Sequence, residues 1–173
     1  MKEIYAFCAP PLGEIGDLRE RVIAIAKGEL GKPYLFEDTA YPLDPAAHNC
    51  STLVQYVTHQ AGIIAADGTS VLPAPSQVQW AIFSKRGGAV RAVSYFDAAQ
   101  RGIEPGDVVF FVGGLAQVGS QMPPAHVGIY VGDGVYIHAP RTGLPVMESR
   151  LSDRADLWGY GDLDCLAGGG GGL

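Results

Sequence analysis

A β-hairpin is the feature of the sequence that most constrains its fold. Gly-Asp-Gly at 132–134 is typical of a tight turn, and a stretch of strand length flanks it on each side. A three-residue loop, which pairs Val131 with Val135, is the register that collects the apolar residues on one face. These residues are Val127, Ile129, Val131, Val135, Ile137 and Ala139.

The other face of this hairpin carries two histidines, His126 and His138. They lie one diagonal step apart, which is within reach of neighbouring side chains on paired strands. Two histidines make half a metal site, but no third ligand is evident nearby, so we predict no metal. The pattern instead indicates a general base, His126, with His138 orienting it through the second ring nitrogen.

An amphipathic helix is predicted to begin at Cys50. Asn49 is a favourable N-cap, and Gly62 is a favourable residue just after the last turn of the helix. Apolar residues recur at helical spacing between them. Unpaired N–H groups and the helix dipole stabilise negative charge at a helix start, which predicts a lowered pKa for the Cys50 thiol. The thiolate is the reactive form, so Cys50 is the candidate nucleophile.

Three histidines are candidates for the base that activates Cys50. His59 is about half a helical turn out of phase with the cysteine and should point away from it. His48 precedes the helix in a loop-like segment and stays a candidate. His126 is favoured because a strand would hold its ring rigidly.

Helical patterns precede strand patterns along the chain, which predicts an α+β fold. Besides the helix at Cys50, we predict a helix from 17 to 28 with Asp17 as its cap, and another at 76–84. An apolar strand is predicted at 108–112. The length of 173 residues suits one domain, which we expect to span 1–166. The glycine-rich tail, 167–173, is expected to be disordered.

Charge and composition exclude several classes of function. The net charge of −6 argues against non-specific nucleic-acid binding, which needs clustered basic residues. No apolar stretch has the length of a membrane span, and the short N-terminal apolar run does not fit a Sec signal peptide. We expect no cofactor. Cys8 and Cys165 lie outside the motifs and are interpreted as structural or incidental.

The sequence His-Asn-Cys-Ser-Thr-Leu-Val-Gln-Tyr-Val at 48–57 resembles the Asp-Cys-Ser-Gly-Leu-Val-Gln-Tyr signature of NlpC-type cysteine peptidases. These are papain-like enzymes of bacterial cell-wall turnover and phage particles. Further blocks similar to family motifs occur in the family's order, at 31–36, 72–79, 106–111, 126–134 and 137–140. The resemblance covers about residues 18–150.

The resemblance implies a papain-like fold, with N-terminal helices packed on a central antiparallel sheet. It implies Cys50 as nucleophile, His126 as base and His138 as the orienting third residue. Tyr34 would stabilise the oxyanion together with the Cys50 backbone N–H, and Ser51 would lie beside the substrate.

Asn49 departs from the family pattern, which has an aspartate before the nucleophile. The resemblance implies that this aspartate helps to bind the free amine of a trimmed stem peptide. Asn49 would still lie beside the substrate and keeps a capping oxygen, but it lacks the charge. A preference for a free amine is therefore in question.

The leading functional hypothesis is a thiol hydrolase that cuts peptidoglycan stem peptides at the γ-D-glutamyl-diamino-acid bond. We expect it to act at the cell wall after delivery by a phage particle, a secretion system or lysis. Three alternatives stay open. The chain is a phage tail or particle component with lost or secondary catalysis, an injected antibacterial toxin, or an acyltransferase that uses the same thiol chemistry on lipid.

Overall fold

The computed structural model describes residues 15–36, 46–113 and 122–167. The helices are α1 (Ile15–Gly28), α2 (Cys50–Gln60), α3 (Ser76–Lys85), α4 (Tyr95–Arg101) and α5 (Asp164–Ala167). The strands are β1 (Ala89–Arg91), β2 (Val108–Phe111), β3 (His126–Gly132), β4 (Val135–His138), β5 (Met147–Arg150) and β6 (Leu157–Gly161). A short 3-10 turn, Leu151–Asp153, follows β5.

The strands form one antiparallel sheet in the order β1-β6-β2-β3-β4-β5. Alternate residues of β2 and β3 face opposite sides because successive strand side chains do so. Phe110 and Ile129 pack with Val22 of α1 and Leu53 of α2 in the main core. The N-terminal helices therefore cover one sheet face, which confirms the predicted α+β class.

The hairpin between β3 and β4 keeps the predicted faces but not the predicted loop. Ile129 pairs with Ile137, as expected, whereas Val135 pairs with Gly132 and not with Val131. A bulge between Tyr130 and Gly132 takes up the extra residue. The turn is the two-residue type with positive φ at both positions, 53° at Asp133 and 76° at Gly134. The bulge reconciles this tight turn with the apolar face.

The sheet face that carries the two histidines is also buried. Tyr130 and Tyr136 pack there in a second core with Phe111 and Leu151. His126 and His138 are each only 4% exposed. The histidine pair therefore lies beneath packed side chains, where loss of hydration disfavours a charged imidazole.

Three boundaries differ from the predictions. α1 begins at Ile15, so Asp17 lies inside the helix and is not its cap. Ala167 is a buried residue of α5 and not the first residue of the tail. Strand β2 ends at Phe111, one residue early. Cys8 and residues 168–173 lie outside the described ranges. Across those ranges, no helix combines the length and apolar character needed to cross a membrane.

Arg19 of α1 joins three distant parts of the chain. Its guanidinium donates to carboxylates of Asp107 at 2.9 Å, Asp162 at 3.1 Å and Asp164 at 2.9 Å. The Asp107 carboxylate also accepts two backbone N–H groups, at 2.8 and 3.0 Å. Burial raises the pKa of Asp107, although Arg19 and these N–H groups oppose the rise. This ion cluster fixes the start of β2 against α1 and the C-terminal segment.

Candidate active site

Helix α2 begins with a reciprocal cap that fixes Cys50 as its first residue. The Asn49 Oδ1 accepts the backbone N–H of Thr52 at 2.9 Å, and the Thr52 hydroxyl oxygen accepts the backbone N–H of Asn49 at 2.9 Å. The Ser51 hydroxyl also donates to the Asn49 Oδ1, at 3.2 Å. This capping box confirms the predicted helix start.

The segment before Cys50 is tied to Glu29, which directly follows α1, and to the strand-like residues near Tyr34. His48 Nε2 lies 2.7 Å from Glu29 Oε2, and both side chains are buried. Backbone hydrogen bonds, Leu35 N–H to the His48 carbonyl at 3.0 Å and His48 N–H to the Pro33 carbonyl at 3.2 Å, flank the Tyr34–His48 bridge. His48 therefore anchors the nucleophile segment, which argues against its use as the base.

His59 also makes a contact that directs it elsewhere. His59 lies near the C-terminal end of α2, and its Nδ1 is 3.1 Å from the hydroxyl of Ser70. This agrees with its predicted helical phase relative to Cys50.

The start of β3 lies against the Cys50 thiol. The backbone N–H groups of Cys50, Ser51 and Val127 and the Ser51 side chain all act to lower the pKa of the Cys50 thiol. Val127 directly follows His126 in the chain, so the candidate nucleophile lies near the start of the strand that carries the candidate base.

The expectation of a lowered thiol pKa is wrong. Burial is the dominant effect and raises the pKa of Cys50 to about 11. The helix start supplies the expected N–H donors, but the core residues packed against the partly buried Cys50 reduce the water that could solvate a thiolate. Cys50 is therefore a neutral thiol at rest.

His126 and His138 form the predicted pair. His126 Nε2 lies 2.8 Å from His138 Nδ1, and His138 Nε2 lies 2.8 Å from the hydroxyl of Ser149. Gly128 lies on the same strand face as His126. A Cβ atom there would approach the Tyr136 ring to 2.9 Å and the His138 Cβ to 3.2 Å, so glycine leaves room for the pair.

Both imidazoles are neutral at pH 7. Burial, the charge of His138 and the charge of Arg154 together lower the pKa of His126 to about 3. Burial, then Arg154, lowers the pKa of His138 to about 4. A neutral imidazole beside a neutral thiol can act as a general base that takes the proton as the sulfur attacks.

Tyr34 is close enough to Cys50 for the two groups to interact electrostatically. Burial, and then the negative charge that Cys50 would carry, raise the pKa of Tyr34 to about 12. The phenol therefore stays protonated and able to donate. Its oxyanion role, and the substrate roles of Asn49 and Ser51, remain predictions.

Sequence reasoning missed an ion pair behind the histidines. Arg154 and Asp156 pair through two hydrogen bonds, at 2.7 and 2.8 Å. The Arg154 guanidinium carbon lies 4.3 Å from the centre of the Phe111 ring, which in turn contacts the His126 ring. The pair follows β5 as two charged residues in a loop, so no local pattern marked it.

The motif at 72–79 supports both sides of the site. The buried Gln79 donates to the Ser51 carbonyl at 2.9 Å, next to the nucleophile. Ser76 donates to the Pro124 carbonyl at 2.8 Å, just before His126. The sequence resemblance included these residues but did not predict that they hold the segments next to Cys50 and His126 in place.

The thiol pKa leads to a direct expectation. Between about pH 5 and about pH 9 we expect no step in thiolate absorbance from Cys50, because its pKa is about 11. The measurement compares Cys8→Ala/Cys165→Ala, which leaves Cys50 as the one thiol, with the triple variant that also carries Cys50→Ala. An absorbance increase equal to one thiolate between about pH 5 and about pH 9 would contradict this expectation.

A protein-family model described as the NlpC/P60 family matches residues 31–158. This range contains Tyr34, Cys50, His126 and His138.

Curated relatives match most of the chain. A probable endopeptidase of Mycobacterium tuberculosis is 32% identical over 136 residues, which are 79% of this chain and 27% of that protein. A gamma-DL-glutamyl hydrolase of Bacillus subtilis is 34% identical over 138 residues, 79% of this chain and 26% of that protein. The chain thus spans about a quarter of the length of these relatives.

Solved structures share the fold. The NlpC/p60 domain of the peptidoglycan hydrolase SagA aligns with a TM-score of 0.58 at 23% identity, over 83% of this chain and 97% of that one. The peptidoglycan hydrolase RipB of Mycobacterium tuberculosis aligns with a TM-score of 0.58 at 19% identity, over 89% and 68%. With the family match over most of its length, this chain belongs to the NlpC/P60 family.

Proposed function

We propose that this chain is a cysteine endopeptidase that hydrolyses peptide bonds in peptidoglycan stem peptides. The observation that carries the proposal is the position of Cys50, the first residue of α2, near the start of β3, where the Val127 backbone N–H acts to lower the pKa of the thiol. His126 begins this strand, and its Nε2 lies 2.8 Å from His138 Nδ1. A nucleophile, a base and an orienting group in this order are the parts of a thiol hydrolase.

Acylation uses the nitrogen of His126 that His138 leaves open. Since Nε2 contacts His138, Nδ1 takes the Cys50 proton while the sulfur attacks the substrate carbonyl carbon. The backbone N–H of Cys50 and the protonated Tyr34 phenol donate to the oxyanion. The C–N bond then breaks, the leaving amine takes the proton from His126, and a thioester remains on Cys50.

Deacylation reverses these proton transfers. A water molecule enters, His126 takes one of its protons, and the oxygen attacks the thioester carbonyl. The C–S bond breaks, the sulfur recovers its proton from His126, and the product leaves with a new carboxyl group. Neutral resting groups suit both steps because neither requires a stored charge in the buried site.

The bond that we propose is the one between γ-D-glutamate and the diamino acid. The relative from Bacillus subtilis is named for gamma-glutamyl hydrolysis, and those from Mycobacterium are named probable endopeptidases. A γ-glutamyl bond within a stem peptide satisfies both descriptions. The same substrate locates the proposed reaction at the cell wall.

Asn49 bears on how the end of the substrate is recognised. The residue is neutral, and its Oδ1 already accepts from Thr52 and Ser51. It has no charge with which to attract an ammonium group. We therefore propose that trimmed stem peptides with a free amine have no large advantage over stem peptides still joined to the sugar.

Incubation with purified muropeptides, followed by mass analysis, tests the proposal. We expect products cut after γ-D-glutamate, with kcat/KM values within about tenfold between trimmed and sugar-linked substrates, a difference of about 1.4 kcal/mol. Cys50→Ala is the control variant that lacks the nucleophile. Identical product profiles for wild type and Cys50→Ala would overturn the hydrolase proposal. Cleavage at another bond, or a hundredfold preference for trimmed peptides, would overturn only the finer specificity.

A further inference from the structure

Three neutral hydrogen-bonding groups stand in a row behind the nucleophile. His126 contacts His138 at 2.8 Å, and His138 contacts the hydroxyl of Ser149 at 2.8 Å. A neutral imidazole has one N–H donor and one acceptor nitrogen, and a hydroxyl can serve as either. The proton positions along the row are therefore linked, because each contact needs one donor and one acceptor.

Only two arrangements satisfy both contacts. In the outward arrangement, His126 Nε2–H donates to His138 Nδ1, and His138 Nε2–H donates to Ser149. In the inward arrangement, Ser149 donates to His138 Nε2, and His138 Nδ1–H donates to His126 Nε2. The inward arrangement puts the His126 proton on Nδ1, the nitrogen that has to accept the proton of Cys50. Only the outward arrangement leaves a base.

We propose that Ser149 is a positioning residue that accepts the Nε2–H of His138 and so keeps His126 in the tautomer with a free Nδ1 lone pair. The inference rests on the proposed function, in which His126 is the base. Ser149 touches neither the thiol nor the substrate. It acts through His138, and nothing in the sequence motifs marked it.

The register of the sheet puts Ser149 in this place. Ser149 of β5 pairs directly with Tyr136 of β4, and His138 lies two residues further along the same face. The Ser149 hydroxyl is therefore within reach of both the His138 ring and the Tyr136 phenol. Burial is the largest effect on the pKa of Tyr136 and raises it, while Arg154 and Ser149 oppose the rise by hydrogen bonding.

The proposal requires the Ser149 hydroxyl to direct its hydrogen away from His138. The Tyr136 phenol, whose pKa Ser149 acts to lower, pairs directly with Ser149 across the strands and offers an acceptor oxygen. The Ser149 lone pair is then left for His138. Arg154 lies beyond Tyr136. Its guanidinium can only donate hydrogen bonds, and it is itself paired with Asp156.

The charges around the pair favour neutral imidazoles, so the choice of tautomer matters. Arg154 faces the pair from the segment before β6, and Asp156 partly offsets its effect on His126. Among the described residues, Tyr136 contacts the His138 ring and Cys50 lies near the start of β3, and both are protonated at neutral pH. With imidazolium disfavoured, Ser149 determines which nitrogen carries the single proton.

Nitrogen-15 NMR of the imidazoles tests this without any substrate. In the wild type at pH 7 we expect both His126 and His138 as the Nε2–H tautomer, with assignments from His126→Asn and His138→Asn. In Ser149→Ala we expect a substantial Nδ1–H population at one or both rings. The proposal is overturned if wild-type His138 is the Nδ1–H tautomer, or if Ser149→Ala leaves both rings unchanged.

Kinetics provide the second readout. We expect Ser149→Ala to lower kcat by about tenfold or more with little change in KM, because fewer molecules hold the competent tautomer. Ser149→Thr keeps the hydroxyl and should retain wild-type tautomers and kcat. Glu148→Ala, an exposed neighbour on β5, is the matched control and should be unchanged. Equal loss in Ser149→Ala and Ser149→Thr would overturn the proposal.

The two readouts separate this inference from the proposed function. If the tautomers behave as expected but no muropeptide is cut, the positioning role stands and the substrate assignment fails. If muropeptides are cut but the tautomers do not depend on Ser149, the function stands and the positioning role fails.

Discussion

Replacing Cys50 with alanine is expected to lower kcat/KM for stem-peptide hydrolysis by a factor of about 10⁴ or more. The substitution removes the atom that forms the thioester. The helix cap that precedes it, between Asn49 and Thr52, does not involve the sulfur. The variant should therefore fold normally, as circular dichroism and thermal melting can verify.

His126→Ala should lower kcat/KM nearly as much as Cys50→Ala. The variant that carries both substitutions should be no less active than Cys50→Ala alone. Residues that act as one unit give such non-additive effects, since removing either one removes the proton transfer that both need. Cys165→Ala is the matched control, because this free thiol lies on α5 and packs against the core. Its activity should remain near wild type, and loss of activity in Cys165→Ala but not in Cys50→Ala would refute the assignment.

Arg19→Met is expected to lower the free energy of unfolding by about 3–5 kcal/mol. Methionine keeps most of the side-chain volume but leaves the Asp107 carboxylate, whose side chain is 2% exposed, without its cation. Removing one partner of a buried ion pair costs more than the pair itself contributes, because the remaining charge is desolvated and unpaired. Denaturant unfolding measures the loss.

Arg21→Met provides the control on the same helix. Among the described residues, Arg21 makes one hydrogen bond, to the Ala61 carbonyl at 3.2 Å, so the same substitution there should cost no more than about 1.5 kcal/mol. Equal losses at Arg19 and Arg21 would show that the ion cluster is not the cause.

The Arg19 effect should also depend on pH. An unfolded aspartate has a pKa near 3.9, and burial raises the pKa of Asp107 in the folded protein. Without Arg19 that pKa rises further. The cost of the charged carboxylate is therefore full above the folded pKa and disappears as the pH falls and the carboxyl protonates. The stability difference between wild type and Arg19→Met should shrink between pH 7 and about pH 4, and Asp107→Asn should relieve much of it.

The sequence predicts those parts of the fold that depend on near neighbours. The cap at Asn49 and the first helical residue, Cys50, follow from positions within one helical turn. The apolar face of the hairpin, with Ile129 opposite Ile137, follows from strict alternation. Alternation determines which face a residue occupies but not the turn length, because a bulge changes the loop and preserves the faces. This is why the pairing of Val135 was predicted wrongly.

The chemistry of the site was harder to predict because opposing effects come from different distances. The helix start at Cys50 is visible in the sequence and favours a thiolate. The burial that outweighs it comes from β3, some 75 residues later. His126 and His138 were found because they share a hairpin. Ser149 and Arg154 were not, since Ser149 contacts His138 from β5 and Arg154 approaches the pair from the segment before β6.

The bridge between Tyr34 and His48 has a consequence for how this scaffold can be altered. It ties together the two ends of the stretch from Phe36 to Ala46, and the contact of His48 with Glu29 holds the second end next to the C-terminus of α1. Closing a longer connection between fixed ends adds only about 0.6 kcal/mol per doubling of its length. Insertions or grafted peptides in this stretch should therefore leave the thiol where it is.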